Sequence, residues 1–147
     1  VQLIWQTGRY YYAEASKHLK AYHGMSVWCS DFISRMDYAY EAADLVVSRA
    51  GASSISELCI LKKPVILVPS PNVAEDHQTK NAMALVEKGA AVMVRDAEAR
   101  DKLVSAALDL IRDNAKLQSL SDHIAEMAHF HSAEQIVDEI MKIIERK

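Results

Sequence analysis

The sequence contains only two cysteines among its 147 residues. Cys29 and Cys59 each lie inside an apolar segment, and they form no Cys-x-x-Cys pair. Histidines do not stand at metal-binding spacing either, since His129 and His131 are two positions apart and project from different faces of a helix. The pattern argues against a disulfide framework and a metal site, and it indicates two buried, reduced thiols.

The sequence also lacks a long apolar run and a strong excess of one charge. No run approaches the roughly 20 apolar residues that a membrane-spanning helix needs. The formal net charge is -3, and the basic residues are scattered, apart from Lys62 and Lys63. We therefore expect neither a membrane span nor a broad surface for nucleic acid.

The residues that are present have the composition of a globular domain, with 50% apolar and 25% charged. A chain of this length can bury one hydrophobic core. The first five residues already read as a strand, and no initiating methionine precedes them. We expect the chain to be a fragment that begins at a domain boundary.

Short apolar segments alternate with helical segments along most of the chain. Strands are predicted over residues 1–6, 26–29, 44–47, 65–68 and 91–94, and helices over 9–22, 37–43, 53–61 and 77–88. The rest is helical, with segments at 99–112, 115–128 and 133–145. The alternation predicts an α/β fold, in which right-handed β-α-β units form a Rossmann-like parallel sheet with helices on both faces.

Polar clusters follow four of the predicted strands, at residues 6–8, 30–33, 48–54 and 69–78. In parallel sheets, ligands bind beyond the carboxyl ends of the strands. The third cluster is a turn of small residues in which Gly51 permits an otherwise strained backbone angle and the close approach of a ligand. Ser53 or Ser54 could cap the following helix, whose first N–H groups would attract a phosphate, but an ordinary capped turn has the same residues.

Single residues near these turns have two interpretations each. Glu57 stands three residues after Ser54, which fits a capping box or a carboxylate that accepts from two ribose hydroxyls. Gln78 could contact a sugar hydroxyl, because its amide both donates and accepts. His77 could act as a base, although no paired nucleophile is visible.

Three further polar residues near these turns are predicted to bond to the protein itself or, for one of them, to phosphate. Asp76 is a candidate helix N-cap, and Asn81 is expected to bond only to the backbone. Arg49 could pair with phosphate, with Asp44 or with Glu57, and the sequence leaves these partners open.

Taken together, the segments ADLVVSRAGASSISEL, KPVILVPSPNVAEDHQTKNA and VEKGAAVMVRD, with LIWQTG and DFISRM upstream, resemble the C-terminal half of the MurG family. This family, glycosyltransferase family 28, comprises bacterial UDP-N-acetylglucosamine transferases of peptidoglycan synthesis with a two-domain GT-B fold. The resemblance covers nearly the whole chain. It implies one UDP-sugar-binding domain over residues 1–147 that lacks the N-terminal acceptor domain and the first βα unit.

The resemblance implies contacts with the donor from its uracil to its phosphates. Ile33 would lie against uracil, which its backbone would read, and Met36 would be close by. Ala52, Ser53 and Ser54 would contact the pyrophosphate or ribose.

The resemblance also assigns the rest of the donor site. Glu57 would bind the ribose diol, and Gln78 would contact the N-acetylglucosamine hydroxyls. His77 occupies a position where some relatives have a second glutamine. No cofactor and no metal are implied, and no catalytic residue is expected in this chain, because the catalytic base belongs to the absent domain.

The resemblance implies an inverting transferase that adds N-acetylglucosamine to a lipid-linked muramyl-pentapeptide, with roles in cell shape and division. The full-length protein would lie at the cytoplasmic face of the inner membrane and touch it only through the absent domain, and this chain alone would be inactive. Two alternatives remain open. The chain could belong to another UDP-sugar enzyme, such as an epimerase, or to a non-catalytic subunit with a membrane-anchored partner chain.

Overall fold

The computed structural model describes residues 1–20, 26–72 and 76–145. The chain divides into two compact units, Val1–Ala43 and Asp44–Lys147. Within the described residues there are five strands and seven helices, and every strand pair is parallel. The predicted elements are confirmed in type and order.

The first unit consists of two β-α pairs. In chain order its elements are β1 (Leu3–Gln6), α1 (Arg9–Lys20), β2 (Val27–Ser30) and α2 (Met36–Ala42). Strands β1 and β2 pair in parallel, with Leu3 opposite Val27 and Gln6 opposite Ser30. Their carboxyl ends, and the turns that follow them, therefore lie side by side. The predicted end of α1 at residue 22 lies outside the described residues.

The second unit contains the other three strands and five helices. These are β3 (Val46–Ser48), α3 (Ala52–Ile60), β4 (Val65–Leu67), α4 (His77–Val86), β5 (Val92–Met93), α5 (Asp96–Leu110), α6 (Asn114–Ala125) and α7 (Ser132–Glu145). The strand order is β3-β4-β5. Strand β4 is central, and all of its residues are fully buried and apolar, as expected for a strand that is covered on both faces.

The core of the second unit lies between the sheet and the helices α5 and α6. One buried cluster joins Ile66, Val68, Val94, Leu110 and Leu120. Burial of each such aliphatic side chain contributes roughly 1.5–3 kcal/mol. This core holds β4 in place, so the loops at its carboxyl end start from a fixed position.

Two helices of the second unit end in the same backbone motif. After α4, Ala90 N–H donates to Leu85 O and Gly89 N–H donates to Val86 O, with Gly89 at a φ of +67°. After α3, Lys63 N–H donates to Leu58 O, and Lys62 takes the left-handed position with a φ of +55°. The prediction that Gly89 closes α4 is confirmed, whereas α3 uses a lysine where glycine is favoured.

The start of α3 differs from the prediction. The helix begins at Ala52 with Gly51 as its N-cap, and no side chain caps it. The expectation that Ser53 or Ser54 caps α3 is therefore wrong, because both residues already lie within the first turn. The capping box between Ser54 and Glu57 is wrong for the same reason. Within the described residues, none of the helices is both long and apolar enough to cross a membrane.

Candidate functional site

Two side chains of α4 hold the loop that connects β3 to α3. The amide oxygen Oε1 of Gln78 accepts from the backbone N–H of Ala50 at 3.2 Å and from that of Ser70 at 2.9 Å. Asn81 Nδ2 donates to Ala50 O at 3.1 Å, which confirms its predicted backbone bond. Ala50 is fully buried, so both polar groups of its peptide depend on α4. The starts of α3 and α4 are thereby fixed to each other.

The two N–H donors also determine which way the Gln78 amide faces. An amide oxygen that accepts from two backbone N–H groups cannot be exchanged with the NH2 group. In the part of the chain that the structure describes, Nε2 of Gln78 has no acceptor. The side chain is half-buried, and the donors of its NH2 group are what it can offer to a ligand.

The first turn of α3 presents backbone N–H groups with no acceptor. Among the described residues, no hydrogen bond is made by the N–H of Ala52, Ser53 or Ser54, as is usual for a helix start without a side-chain cap. Ala52 and Ser53 are exposed, and Ser54 is half-buried. These N–H groups and the helix dipole make the position suitable for an anion.

Gly51 precedes this turn in an ordinary extended conformation, with a φ of -71° and a ψ of 143°. The expectation of a strained backbone angle at Gly51 is therefore wrong. A Cβ atom here would meet only Ser54 Oγ, at 4.0 Å. Neither backbone strain nor packing requires glycine here, and the close approach of a ligand remains a prediction.

Glu57 is exposed on α3, beyond the helix start. His77 is exposed as the first residue of α4 and follows Asp76, which has a φ of +53°. Asp76 is the N-cap residue of α4, as predicted, although its side chain makes no capping hydrogen bond. The predicted ligand contacts of Glu57 and His77 remain predictions.

Arg49 has a partner that the sequence does not reveal. Its guanidinium pairs with Asp96 at the start of α5 and also donates to Val68 O at 3.2 Å and to Pro69 O at 3.4 Å. Neither Asp44 nor Glu57 is its ion-pair partner. Arg49 thus connects the carboxyl ends of β3 and β4 to α5. In the sequence, this ion pair is indicated only by the position of Asp96 just after β5.

An open groove of about 520 Å³ lies in the first unit, beyond the end of β2. It is lined by Ile4, Trp28, Ser30, Phe32, Ile33, Ser34, Arg35, Tyr38 and Ala39. Ile33 therefore belongs to a mostly apolar surface. Met36, the first residue of α2, is half-buried and is not among the lining residues.

Arg35 stands at the rim of this groove and was not predicted as a site residue. Its guanidinium lies 3.8 Å from the centre of the Tyr38 ring and pairs with Asp37 at 2.6 Å. The hydrogen bond from Arg35 lowers the pKa of Asp37, and the same contact raises the pKa of Arg35. Both groups are charged at neutral pH, and their exposed ion pair lies at the start of α2.

The cysteines and acidic residues form no metal centre in the described residues, where no group of three or more possible ligands comes together. Cys59 is buried, and burial raises the pKa of its thiol. Cys29 is half-buried, and neither cysteine forms a disulfide.

A family model described as the glycosyltransferase family 28 C-terminal domain matches residues 1–137. A relative from Parabacteroides distasonis, named UDP-N-acetylglucosamine–N-acetylmuramyl-(pentapeptide) pyrophosphoryl-undecaprenol N-acetylglucosamine transferase, is 70% identical over 100% of this chain and 40% of its own length. A protein of the same name from Porphyromonas gingivalis is 58% identical over 100% of the chain and 39% of its own length. The chain thus spans about 40% of the length of these curated relatives.

A solved structure gives the same result for the fold. The chain is similar to the crystal structure of Acinetobacter baumannii MurG, with a TM-score of 0.85 and 26% sequence identity over 97% of this chain and 41% of that one. The match confirms the predicted Rossmann-like fold with helices on both faces, of the kind found in the C-terminal half of a GT-B glycosyltransferase. The chain belongs to the glycosyltransferase family 28 C-terminal domain family.

Proposed function

We propose that this chain is the donor-binding domain of an inverting transferase that moves N-acetylglucosamine from UDP to a lipid-linked muramyl-pentapeptide in peptidoglycan synthesis. The observation that carries the proposal is the joining of two helix starts through the buried Ala50 peptide. One start offers N–H groups to an anion, and the other offers the Gln78 NH2 group to a hydroxyl. A diphosphate linked to a sugar has both of these groups.

The anion-binding turn has a direct role in such a reaction. When the acceptor hydroxyl attacks the anomeric carbon, the bond to the diphosphate breaks and negative charge grows on the leaving group. The N–H groups of Ala52, Ser53 and Ser54 would stabilise that charge without reorganisation, because α3 already holds them in place. No metal ion is needed for this role.

Contacts with the sugars follow from the chemistry of two side chains. Glu57 has two carboxylate oxygens, which suit the two hydroxyls of a ribose diol. Gln78 would donate from Nε2 to a hydroxyl oxygen of N-acetylglucosamine, while Oε1 stays bonded to the backbone. His77, exposed beside it, would add a further sugar contact.

The groove of the first unit would take the nucleobase. Its lining of aliphatic and aromatic side chains around Ile33 suits a flat heterocycle, and Met36 at the start of α2 would stand close to it. The proposed base is uracil, which the resemblance to the family implies for Ile33.

The remaining parts of the reaction would lie outside this chain, which would be a single UDP-sugar-binding domain without the first βα unit. The acceptor, the catalytic base and the contact with the cytoplasmic face of the inner membrane would belong to an N-terminal domain, and the whole protein would affect cell shape and division. In the described residues, β1 pairs only with β2 and β3 only with β4.

A nucleotide titration followed by a transfer assay tests the proposed function. We expect UDP-N-acetylglucosamine to bind the full-length protein more tightly than UDP-glucose does, and transfer to the lipid-linked acceptor to require the full-length protein. Transfer by this chain alone would contradict the assignment of the base to another domain. Tight donor binding without transfer by the full-length protein would favour another UDP-sugar enzyme.

A further inference from the structure

The peptide group that joins Pro69 to Ser70, just after β4, is held from both of its ends. Its carbonyl oxygen accepts from Arg49 Nη1 at 3.4 Å, and its N–H group donates to Gln78 Oε1 at 2.9 Å. The carbonyl before it, that of Val68, accepts from the same arginine nitrogen at 3.2 Å. Because a peptide group is planar, its carbonyl and its N–H cannot turn separately. The position of Arg49 therefore limits the direction in which the Ser70 N–H points.

The guanidinium of Arg49 is itself held from α5. Its Nη1 atom also donates to a carboxylate oxygen of Asp96, the first residue of that helix. The helix packs into the buried core through Leu110, so the backbone of Asp96 has a fixed position. Since β4 lies between β3 and β5, the ion pair reaches across the end of the central strand. One nitrogen atom thus joins a packed helix to the two carbonyls after β4.

The ion pair between Arg49 and Asp96 is partly exposed. Its two side chains are 56% and 35% exposed, respectively. Pairs in such positions add little to stability, because water and salt screen the charges. We therefore expect the consequence of this pair at the peptide that it holds, rather than in the free energy of unfolding.

We propose that Asp96 is a positioning residue for sugar recognition, which acts on the Gln78 amide through Arg49. The amide oxygen lies between the N–H groups of Ser70 and Ala50, and this placement sets where the NH2 group of the same amide points. The inference rests on the proposed function, because it assumes that this NH2 group donates to the sugar of the donor. Without the Asp96 carboxylate, the peptide after β4 has more orientations, and the amide is less preorganised for the sugar.

Binding of UDP-N-acetylglucosamine and UDP to the full-length protein and two variants tests this role. Asp96→Asn removes the charge at nearly constant shape. Glu98→Gln is the matched control, because Glu98 is the other acid in the first turn of α5 and pairs with Lys102 instead. We expect Asp96→Asn to lower the preference for UDP-N-acetylglucosamine over UDP by roughly threefold to fivefold, the value of one exposed ion pair, and Glu98→Gln to keep it. Any charge that Arg49 gains for the diphosphate acts on both ligands and leaves this preference unchanged.

A double-mutant cycle tests whether Asp96 acts through Arg49. Arg49→Gln removes the guanidinium, so we expect the same loss of preference in Arg49→Gln with and without Asp96→Asn. A further loss in the double variant would show that Asp96 acts by another route, and it would overturn the inference.

Chemical denaturation and amide exchange separate positioning from a general loss of structure. We expect Asp96→Asn and Glu98→Gln to have equal free energies of unfolding, and the Ser70 amide of the unliganded protein to exchange faster only in Asp96→Asn. If the wild type prefers UDP-N-acetylglucosamine and Asp96→Asn keeps that preference or the wild-type exchange at Ser70, this inference alone is wrong. The absence of any preference in the wild type would contradict the proposed function, and this inference with it.

Discussion

At the scale of single residues, Gln78 uses the two ends of one amide for different tasks. Its oxygen accepts from the backbone N–H groups of Ala50 and Ser70, and we propose that its NH2 group donates to a ligand. The resemblance to the family predicts only the second task. The first explains why the side chain has one orientation before any ligand binds, so little conformational entropy would be lost on binding.

Two substitutions of Gln78 separate these tasks. Gln78→Glu retains oxygens that accept from both N–H groups but has no NH2 group, so we expect a stable protein that binds UDP-N-acetylglucosamine no better than UDP. Gln78→Met leaves the buried Ala50 N–H without an acceptor, which we expect to cost about 2 kcal/mol of stability. Chemical denaturation and calorimetric titration measure the two effects. The negative charge that Gln78→Glu adds would act on the diphosphate of both ligands. The difference in binding free energy between UDP-N-acetylglucosamine and UDP therefore excludes this effect.

Gly51 gives a prediction in which stability and binding change in opposite directions. Its extended backbone accepts a side chain, and serine is a better N-cap than glycine for α3. We expect Gly51→Ser to raise the free energy of unfolding by a few tenths of a kcal/mol and to weaken UDP binding, because the new hydroxyl occupies N–H groups meant for phosphate. Unchanged UDP binding would show that the turn does not hold the diphosphate.

Some residue contacts could be predicted from the sequence, and others could not. A backbone bond of Asn81 was expected from its residue type, although the sequence did not indicate Ala50 O as the acceptor. The pair of Arg49 with Asp96 joins residues 47 positions apart, and the sequence offered Asp44 and Glu57 as nearer candidates. Only the packing of α5 against the sheet brings Asp96 to Arg49. The hydrogen bond from Ile33 N–H to Gln6 Oε1 could not be predicted either, because it depends on the pairing of β1 with β2.

At the scale of elements, the hydrophobic pattern predicts each strand and helix but not where each begins. Strand β4 is recognisable because its residues are all apolar and β-branched or leucine. The sequence predicts that α3 begins at residue 53 and that Ser53 or Ser54 caps it. The helix instead begins at Ala52 without a side-chain cap, because serines within the first turn lie beyond the N-cap position.

The end of α3 provides a stability prediction for one element. Lys62 has a left-handed conformation, in which a Cβ atom costs about 1–2 kcal/mol. We expect Lys62→Gly to stabilise the protein, by up to about 1 kcal/mol after the greater entropy of an unfolded glycine is subtracted. Thermal unfolding measures this, with Lys88→Gly inside the ordinary turn after α4 as the matched control. A lower melting temperature for Lys62→Gly than for the wild type would contradict the claim that the backbone of Lys62 is strained.

At the scale of the whole molecule, the chain belongs to the glycosyltransferase family 28 C-terminal domain family and spans about 40% of the length of its relatives. Its parallel strands place polar turns at their carboxyl ends, as the sequence predicts for a ligand site. The identity of the ligand does not follow from this topology. We propose a sugar linked to a diphosphate and a ribose, because the N–H groups of α3, the carboxylate of Glu57 and the donors of Gln78 match its chemical groups.

The most direct test of this account is a calorimetric titration of UDP-N-acetylglucosamine into the wild type and Glu57→Gln, with Glu126→Gln as a matched substitution on the surface. Loss of a charged hydrogen-bond partner of the ribose costs roughly 1–3 kcal/mol of binding free energy. We predict a loss of that size for Glu57→Gln and none for Glu126→Gln. Equal binding by all three proteins would contradict the proposal that this domain holds the ribose of a UDP-sugar at α3.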